Sequence, residues 1–178
     1  MLRGKSVGLR ARHESDGPIL EAELYNDVPT TARADSRAWR PIPPGSPGSR
    51  YVLQPPSEQV AIFSVVELAG DELAGEAVLW AIDTFHRAAH VGLSLRPTFR
   101  GRGLGTDIVQ VLCHYGFDVL GLNRIQIDTL ADNAAMIGAA QRVGFTMEGT
   151  IRQSAWVMGT FIDGVVLGLL ADEWRTSG

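Results

Sequence analysis

Apolar residues along this chain alternate with polar ones in some stretches and fall three and four apart in others, and the two periods take turns. Over residues 6–12, Val7, Leu9 and Ala11 alternate with polar partners, which predicts a strand. Asp16-Gly17-Pro18 places Pro at an early helical position, and Leu20 and Leu24 follow four apart on one helical face. Residues 60–68 and 73–83 read as a hairpin about the Ala69-Gly70-Asp71-Glu72 turn, and their apolar content makes them central strands. Residues 88–95 are the next strand, with Val91, Leu93 and Leu95 on one face and His90, Gly92 and Ser94 on the other. A helix from Gly103 repeats Ile108, Leu112, Tyr115 with Gly116, and Val119, ending near Gly121. Arg124-Ile125-Gln126-Ile127 is a strand. Asp132 or Asn133 then caps a helix that buries Met136, Ile137 and Ala140 and stops at Gly144. Residues 145–157 and 160–170 form a closing hairpin, and neither an internal repeat nor a linker divides the chain.

Composition narrows this picture. With 178 residues, 45% of them hydrophobic, the chain suits one domain over residues 1–178 with a full-sized core. Charged residues at 20% and a net charge of −4 argue against a nucleic-acid partner, which favours basic surfaces. The single cysteine, Cys113, sits mid-helix beside Val111, Leu112 and Phe117, so it reads as a buried structural thiol in a reducing compartment. The opening MLRGKSVGLRAR has no long apolar run, so neither signal peptide nor membrane anchor is expected and the cytoplasm is the default location. Residues 28–58 turn polar and Pro-rich, as loop or lid, with a short helix expected around 32–39.

The stretch Val91-Gly92-Leu93-Ser94-Leu95-Arg96-Pro97-Thr98-Phe99-Arg100-Gly101-Arg102-Gly103-Leu104-Gly105-Thr106 carries the chemistry. A strand passes through a Gly-rich turn straight into a helix, so several free N–H groups and the positive helix end converge on one spot. Arg96, Arg100 and Arg102 add cationic charge there, which makes the turn a phosphate site. A P-loop is excluded because the only lysine is Lys5. A dinucleotide fingerprint is excluded because Thr106 and Ile108 stand where it needs Gly.

Arg100-x-x-Gly103-x-Gly105 resembles the signature of the GNAT acetyltransferase superfamily, Gln or Arg, two residues, Gly, one residue, then Gly or Ala. Downstream, Asn133 opening a helix that closes at Arg142-Val143-Gly144-Phe145 is similar to the second half of that family's core. Residues 147–152, 159–163 and Asp172-Glu173-Trp174 resemble the branch containing the RimJ/RimL ribosomal-protein N-terminal acetyltransferases.

The resemblance implies an α+β fold: a central mixed, mostly antiparallel sheet with helices on both faces. Residues 88–145 would form the acetyl-CoA-binding core and residues 28–58 the acceptor side. It implies cofactor contacts from Leu93 and Leu95 along the pantetheine, and from Arg100, Gly101, Arg102, Gly103, Leu104, Gly105 and Thr106 around the pyrophosphate. Asn133 would contact the CoA arm, although as a helix cap it needs no ligand. No metal is expected.

Acetyl transfer to an amine requires a base, because an ammonium with pKa ~10 has no lone pair to attack with. His90 stands where many relatives carry Glu, and an imidazole titrating near ~6.5 suits the role. Glu76, among Ala74, Ala77 and Val78, is the second candidate, with a salt bridge as its bland alternative. The resemblance implies a bulge in this strand whose N–H faces the reacting carbonyl, and Gly92 is the residue best able to host it. The family's acid departs from pattern: Tyr or Ser positions hold Ala140 and Met136, which donate no proton, and Tyr115 or Ser154 would substitute only if folding brought them close.

The reading is an acetyl-CoA-dependent N-acetyltransferase using direct transfer to a primary amine, either a small molecule or a protein N-terminus. The chain's modest acidity slightly favours a cationic acceptor. The alternatives are a non-catalytic acyl-CoA-binding or sensing protein, and a transferase for a longer donor such as succinyl-CoA, served by the lid arginines Arg33, Arg37, Arg40 and Arg50. The closing hairpin, with Trp156 and residues 165–170, would pair two copies as a homodimer or serve as a core strand.

Overall fold

The computed structural model describes residues 1–43 and 45–176; Pro44, in the expected lid, lies outside the described residues. Eight strands form one sheet in the order β1-β2-β3-β4-β5-β6-β8-β7. These are β1 Leu2–Arg3, β2 Val7–Arg10, β3 Ala61–Glu67, β4 Glu72–Asp83, β5 Ala88–Leu95, β6 Arg124–Leu130, β7 Thr146–Val157 and β8 Thr160–Leu170. Every neighbouring pair is antiparallel except β5 with β6. The helices are α1 Asp16–Leu20, α2 Val28–Ala34, α3 Leu104–His114, α4 Ala134–Val143 and α5 Ala171–Thr176, with π turns at Glu21–Tyr25 and Tyr115–Val119.

Strand periodicity decides the layers. Ala77 and Leu79 of β4 and Ala89 and Val91 of β5 are buried with Ile108 and Leu112 of α3, so α3 covers that face. The other face of β4 carries Glu76 and Trp80, and its neighbour Ser64 of β3 donates to Asp16 of α1 at 2.7 Å. Apolar burial of the first face supplies the main driving force, and Cys113 is fully buried in it, its thiol pushed up by desolvation. Among the described residues no helix is long and apolar enough to cross a membrane.

Two sequence expectations change, and one open alternative is decided. The helix expected at 32–39 lies instead at Val28–Ala34, because Asp27-Val28-Pro29 supplies an N-terminus with Pro in the first turn. It stops at Asp35, whose carboxylate accepts the Arg37 N–H at 2.9 Å and turns the chain. No bulge falls at Gly92: β4 and β5 stay in register through Val78↔Gly92 and Ala77↔Leu93, so the alternation of faces continues. A Cβ at Gly92 would stand 3.0 Å from Val78 Cγ1, so close packing is what the glycine serves. Finally, Val165, Leu167 and Leu169 are core residues, and β7, not β8, is the outer edge.

Asp16 is nearly inaccessible, and four donors hold it: Arg10 at 2.6 and 2.9 Å, the His13 N–H at 2.8 Å and Ser64. Desolvation opposes its charge, but these hydrogen bonds prevail and bring it down to about 2. Because the folded value lies below the unfolded one, the contribution is fully present above the usual carboxylate range and is lost as pH falls through about 2. Asp16→Asn should therefore destabilise the protein by about 2 kcal/mol at neutral pH and flatten its acid-unfolding limb, as followed by urea titrations from pH 7 to pH 2. An unchanged limb would show that another carboxylate controls acid unfolding.

Candidate active site

The parallel pairing between β5 and β6 runs only through Ala88↔Arg124, Ala89↔Ile125 and His90↔Gln126. Past His90, β5 keeps β4 as its partner while β6 continues along β8, so an opening begins in the sheet at Val91. Leu93 and Leu95, half-buried, lie along this opening.

A single turn of 3₁₀ helix, Pro97–Phe99, leads from the end of β5 to the Gly-rich turn. Gly101 and Gly103 hold φ of 74° and 79°, values other residues rarely adopt, and a Cβ on either would meet nothing within 4 Å. Both the conformation and the free space are what a bound group needs. Gly103 is the N-cap of α3 and offers no side-chain acceptor, so the first-turn amides of Leu104, Gly105 and Thr106 have no capping side chain.

The arginines differ from expectation. Arg96 is held by Glu23 at 2.6 and 2.9 Å and donates to Leu73 O at 2.6 Å, while Arg102 pairs with Glu67 at 2.7 Å. Their charge is spent locally, because guanidinium groups find carboxylates wherever chain geometry allows. Arg100 donates to Leu95 O at 2.9 Å and to Thr30 Oγ1 at 3.4 Å, and has no carboxylate partner among the described residues. Arg142 of α4 reaches Thr106 Oγ1 at 3.5 Å and adds a cation beside the turn.

His90 sits where the pairing ends. Its Nδ1 lies 2.6 Å from Asp128 Oδ2 across the two strands, and its ring packs against Trp80 with centroids 4.5 Å apart. Hydrogen bonding to His90, with help from Gln126 at 2.9 Å, holds the Asp128 carboxyl below its ordinary value. Arg124 continues the chain of contacts from Gln126 to Glu148.

Glu76 falls out of the base role. It is only 4% exposed, and its oxygens accept from Arg12 at 2.7 Å, Arg50 at 3.0 Å and the Tyr51 hydroxyl at 3.3 Å. This is the salt-bridge alternative, with both carboxylate oxygens occupied by guanidinium and hydroxyl donors. Asn133 caps α4 by accepting the Met136 N–H at 3.2 Å, and its amide donates to Thr129 Oγ1 at 2.9 Å. Ala140 is buried and Met136 half-buried. Tyr115 packs edge-on to Phe63 at 5.3 Å, and Ser154 lies on the edge strand β7. Asp128, Trp80 and Arg142 were missed. The alternation Gln126, Asp128 already put both on one polar face, but only the β5–β6 register brings Asp128 to His90.

A family model described as an acetyltransferase (GNAT) domain matches residues 7–146. The putative ribosomal N-acetyltransferase YdaF of Bacillus subtilis is 33% identical over 103 residues, covering 58% of this chain and 56% of that protein. The spermidine N(1)-acetyltransferase of Escherichia coli K12 is 29% identical over 110 residues, covering 62% and 59%. The match thus spans less than two thirds of either relative's length. A crystal structure of spermidine N-acetyltransferase from Vibrio cholerae in complex with CoA and spermine superposes with a TM-score of 0.77 at 19% identity, covering 96% of this chain and 98% of that one, and shares its fold.

Gly105 gives a clean test of the turn, because its φ is not positive and a Cβ there would meet only Ala139 Cβ at an ordinary 3.9 Å. Aspartate suits the first turn of a helix, so Gly105→Asp should fold normally. It should also set a carboxylate against the amides and weaken acetyl-CoA binding about a hundredfold or more in calorimetry. Unchanged affinity in a folded variant would remove the turn from the site.

Proposed function

Because the chain belongs to the GNAT acetyltransferase family, we propose that it moves an acetyl group from acetyl-CoA to a primary amine, with His90 as the base. One observation carries the reading. The His90–Asp128 pair stands at the point where β5 and β6 stop pairing, and the same strand runs on from there to the Gly101–Gly103 turn.

The residues fit the group. Bound acetyl-CoA supplies a thioester carbonyl open to attack. The amides of residues 101–106 would hold its pyrophosphate, with Arg100 and Arg142 as the nearby cations, and the β5 backbone at Leu93 and Leu95 would receive its arm. His90 takes one proton from the ammonium to free its lone pair, the amine nitrogen bonds to the carbonyl carbon as the carbon–sulfur bond breaks, and Asp128 fixes the ring tautomer that presents Nε2. The sulfur leaves as a thiolate whose thiol has a pKa of about 8.5, so water can relay to it the second proton the nitrogen loses without a dedicated acid, in keeping with Met136 and Ala140 on α4.

The same residues on α4 also favour a second reading, a protein that binds acyl-CoA without turnover. Calorimetry with acetyl-CoA, followed by a thiol-release screen of amines, separates the two. Binding with no release on any amine would select the second, and no binding would sink both.

We also place self-association on β7, the outer strand. Ile151 and Trp156 are exposed there, with Met158 and Phe161 beside them, and an apolar unpaired edge recruits another chain. A dodecameric spermidine N-acetyltransferase from Vibrio cholerae shares the fold, with a TM-score of 0.75. Trp156→Glu should reduce the sedimentation coefficient, and an identical value would move the interface elsewhere.

His90→Ala should lower kcat by about a hundredfold or more while leaving acetyl-CoA affinity unchanged. Asp128→Asn is more diagnostic: it keeps the shape of the side chain but no longer holds the ring through Nδ1, so kcat should also fall, about tenfold or more, with acetyl-CoA affinity unchanged. An unchanged kcat in both variants would take His90 out of the reaction.

A further inference from the structure

A cavity of about 540 Å³ lies between α2 and the segment that follows it, walled by Tyr25, Asp35, Arg37, Trp39, Arg40 and Arg50 among others. Its chemistry is one-sided. Among the described residues Asp35 is the only acid in the wall, and it is already taken: Arg37 donates to it at 2.9 and 3.4 Å and Arg50 at 3.2 Å. The Tyr25 hydroxyl is also used, donating to Arg40 O at 2.8 Å and accepting the Arg40 N–H at 3.3 Å. The Arg40 guanidinium has no partner among the described residues.

Two buried side-chain atoms there lack any partner, Trp39 Nε1 and Arg12 Nε. Both are donors. Arg12 adjoins the cavity, donating to Arg50 O at 3.1 Å. Every unmet group in this region therefore asks for an acceptor, and a buried donor without one is destabilising. A polyamine would bring further ammonium donors into a cationic wall. A carboxylate offers acceptors only, in the planar form a guanidinium receives two at a time.

The cavity borders the reaction site through α2. Thr30 of that helix meets Arg100 at the end of β5, and Arg33 pairs with Asp132 beyond the end of β6 at 2.5 Å, so α2 spans the wide end of the opening. Thr31 and Asp35, from the same segment, line the cavity. Below, Arg50 reaches Glu76, the cross-strand neighbour of Ser94 on the His90-bearing face.

We infer that the acceptor amine carries a carboxylate, which this cavity binds through the Arg40 guanidinium, the wall cation left without a partner among the described residues. This rests on the acetyltransferase reading above and reverses the slight preference for a cationic acceptor that the chain's overall acidity suggests, because local charge near the site outweighs net charge.

The test uses two C-terminally amidated tetrapeptides with the same free N-terminus, Ala followed by three Glu or by three Gln, with spermidine as the cationic control. Binding is measured by calorimetry on the CoA complex, and turnover by thiol release. The wild type should bind the Glu peptide about tenfold or more tightly than the Gln peptide, and spermidine least. Arg40→Ala, at an exposed side chain, should abolish that preference by raising KM for the Glu peptide with little change in kcat. Selective binding without turnover would uphold the carboxylate site and sink the transfer reading. Equal binding of both peptides, binding of neither, or preference for spermidine would overturn the inference. Tighter binding of succinyl-CoA than acetyl-CoA, lost in Arg40→Ala, would also overturn it by placing the carboxylate on the donor.

Discussion

Three residue pairs of parallel ladder hold β5 to β6, and the candidate site depends on that pairing ending where it does. A longer ladder would leave no gap for a ligand, and a shorter one would leave the sheet in two halves. The limit is set from both sides. β4 holds β5 along Gly75↔Leu95 to Trp80↔His90, and β8 holds all of β6 from Arg124↔Leu170 to Leu130↔Gly164, so neither strand needs the other beyond His90. The His90–Asp128 contact then closes the apex with side chains in place of backbone. Backbone groups without ladder partners are costly unless water or a ligand meets them, so the opening leaves such groups available.

Electrostatics around the turn follow the same economy. Arg96 and Arg102 are bound to Glu23 and Glu67 and sandwich Phe99, their guanidinium carbons 5.5 and 5.3 Å from its ring centre. They stiffen the approach to α3 instead of contributing free charge. Asp107 adds a second brace from the first turn of α3, accepting the N–H groups of Lys5, Ser6 and Val7 at 3.0, 2.7 and 3.0 Å. What remains for an anion is a rigid set of amides, and preorganised amides need no reorientation on binding.

Periodicity made most of this fold legible. Residues 88–95 were read as a strand with the bounds β5 has, and the cap at Asn133, the stop at Gly144 and both hairpins follow from local chemistry that needs no tertiary knowledge. The Gly-rich turn was legible for the same reason, since a positive φ is a local demand. What stayed hidden is non-local. Asp128 lies 38 residues from His90, and Glu23 lies 73 from Arg96, so the sequence carries each charge but not its partner. Glu76 shows the consequence: among apolar neighbours it reads as a base or as half of a salt bridge, and only the fold brings in the two arginines, from distant segments, that pair with it. In residues 28–58 composition masked the Asp27-Val28-Pro29 helix start, because Pro-rich text reads as loop throughout.

That region matters more than its composition suggests. Glu76 is fixed in the sheet, yet Arg12 comes from the segment after β2 and Arg50 from beyond α2, so one buried carboxylate ties these two segments to the sheet. Removing either arginine would leave a buried charge half-compensated, a larger loss than the net worth of the pair. The link is therefore better understood as a device for position than for stability. It sets α2 across the opening at a fixed height, with Thr30 over the end of β5 and Arg33 over the end of β6. Those two contacts are exposed and individually weak, whereas the Glu76 anchor is buried and strong. A helix held firmly on one side and loosely over the opening can shift there without losing its register.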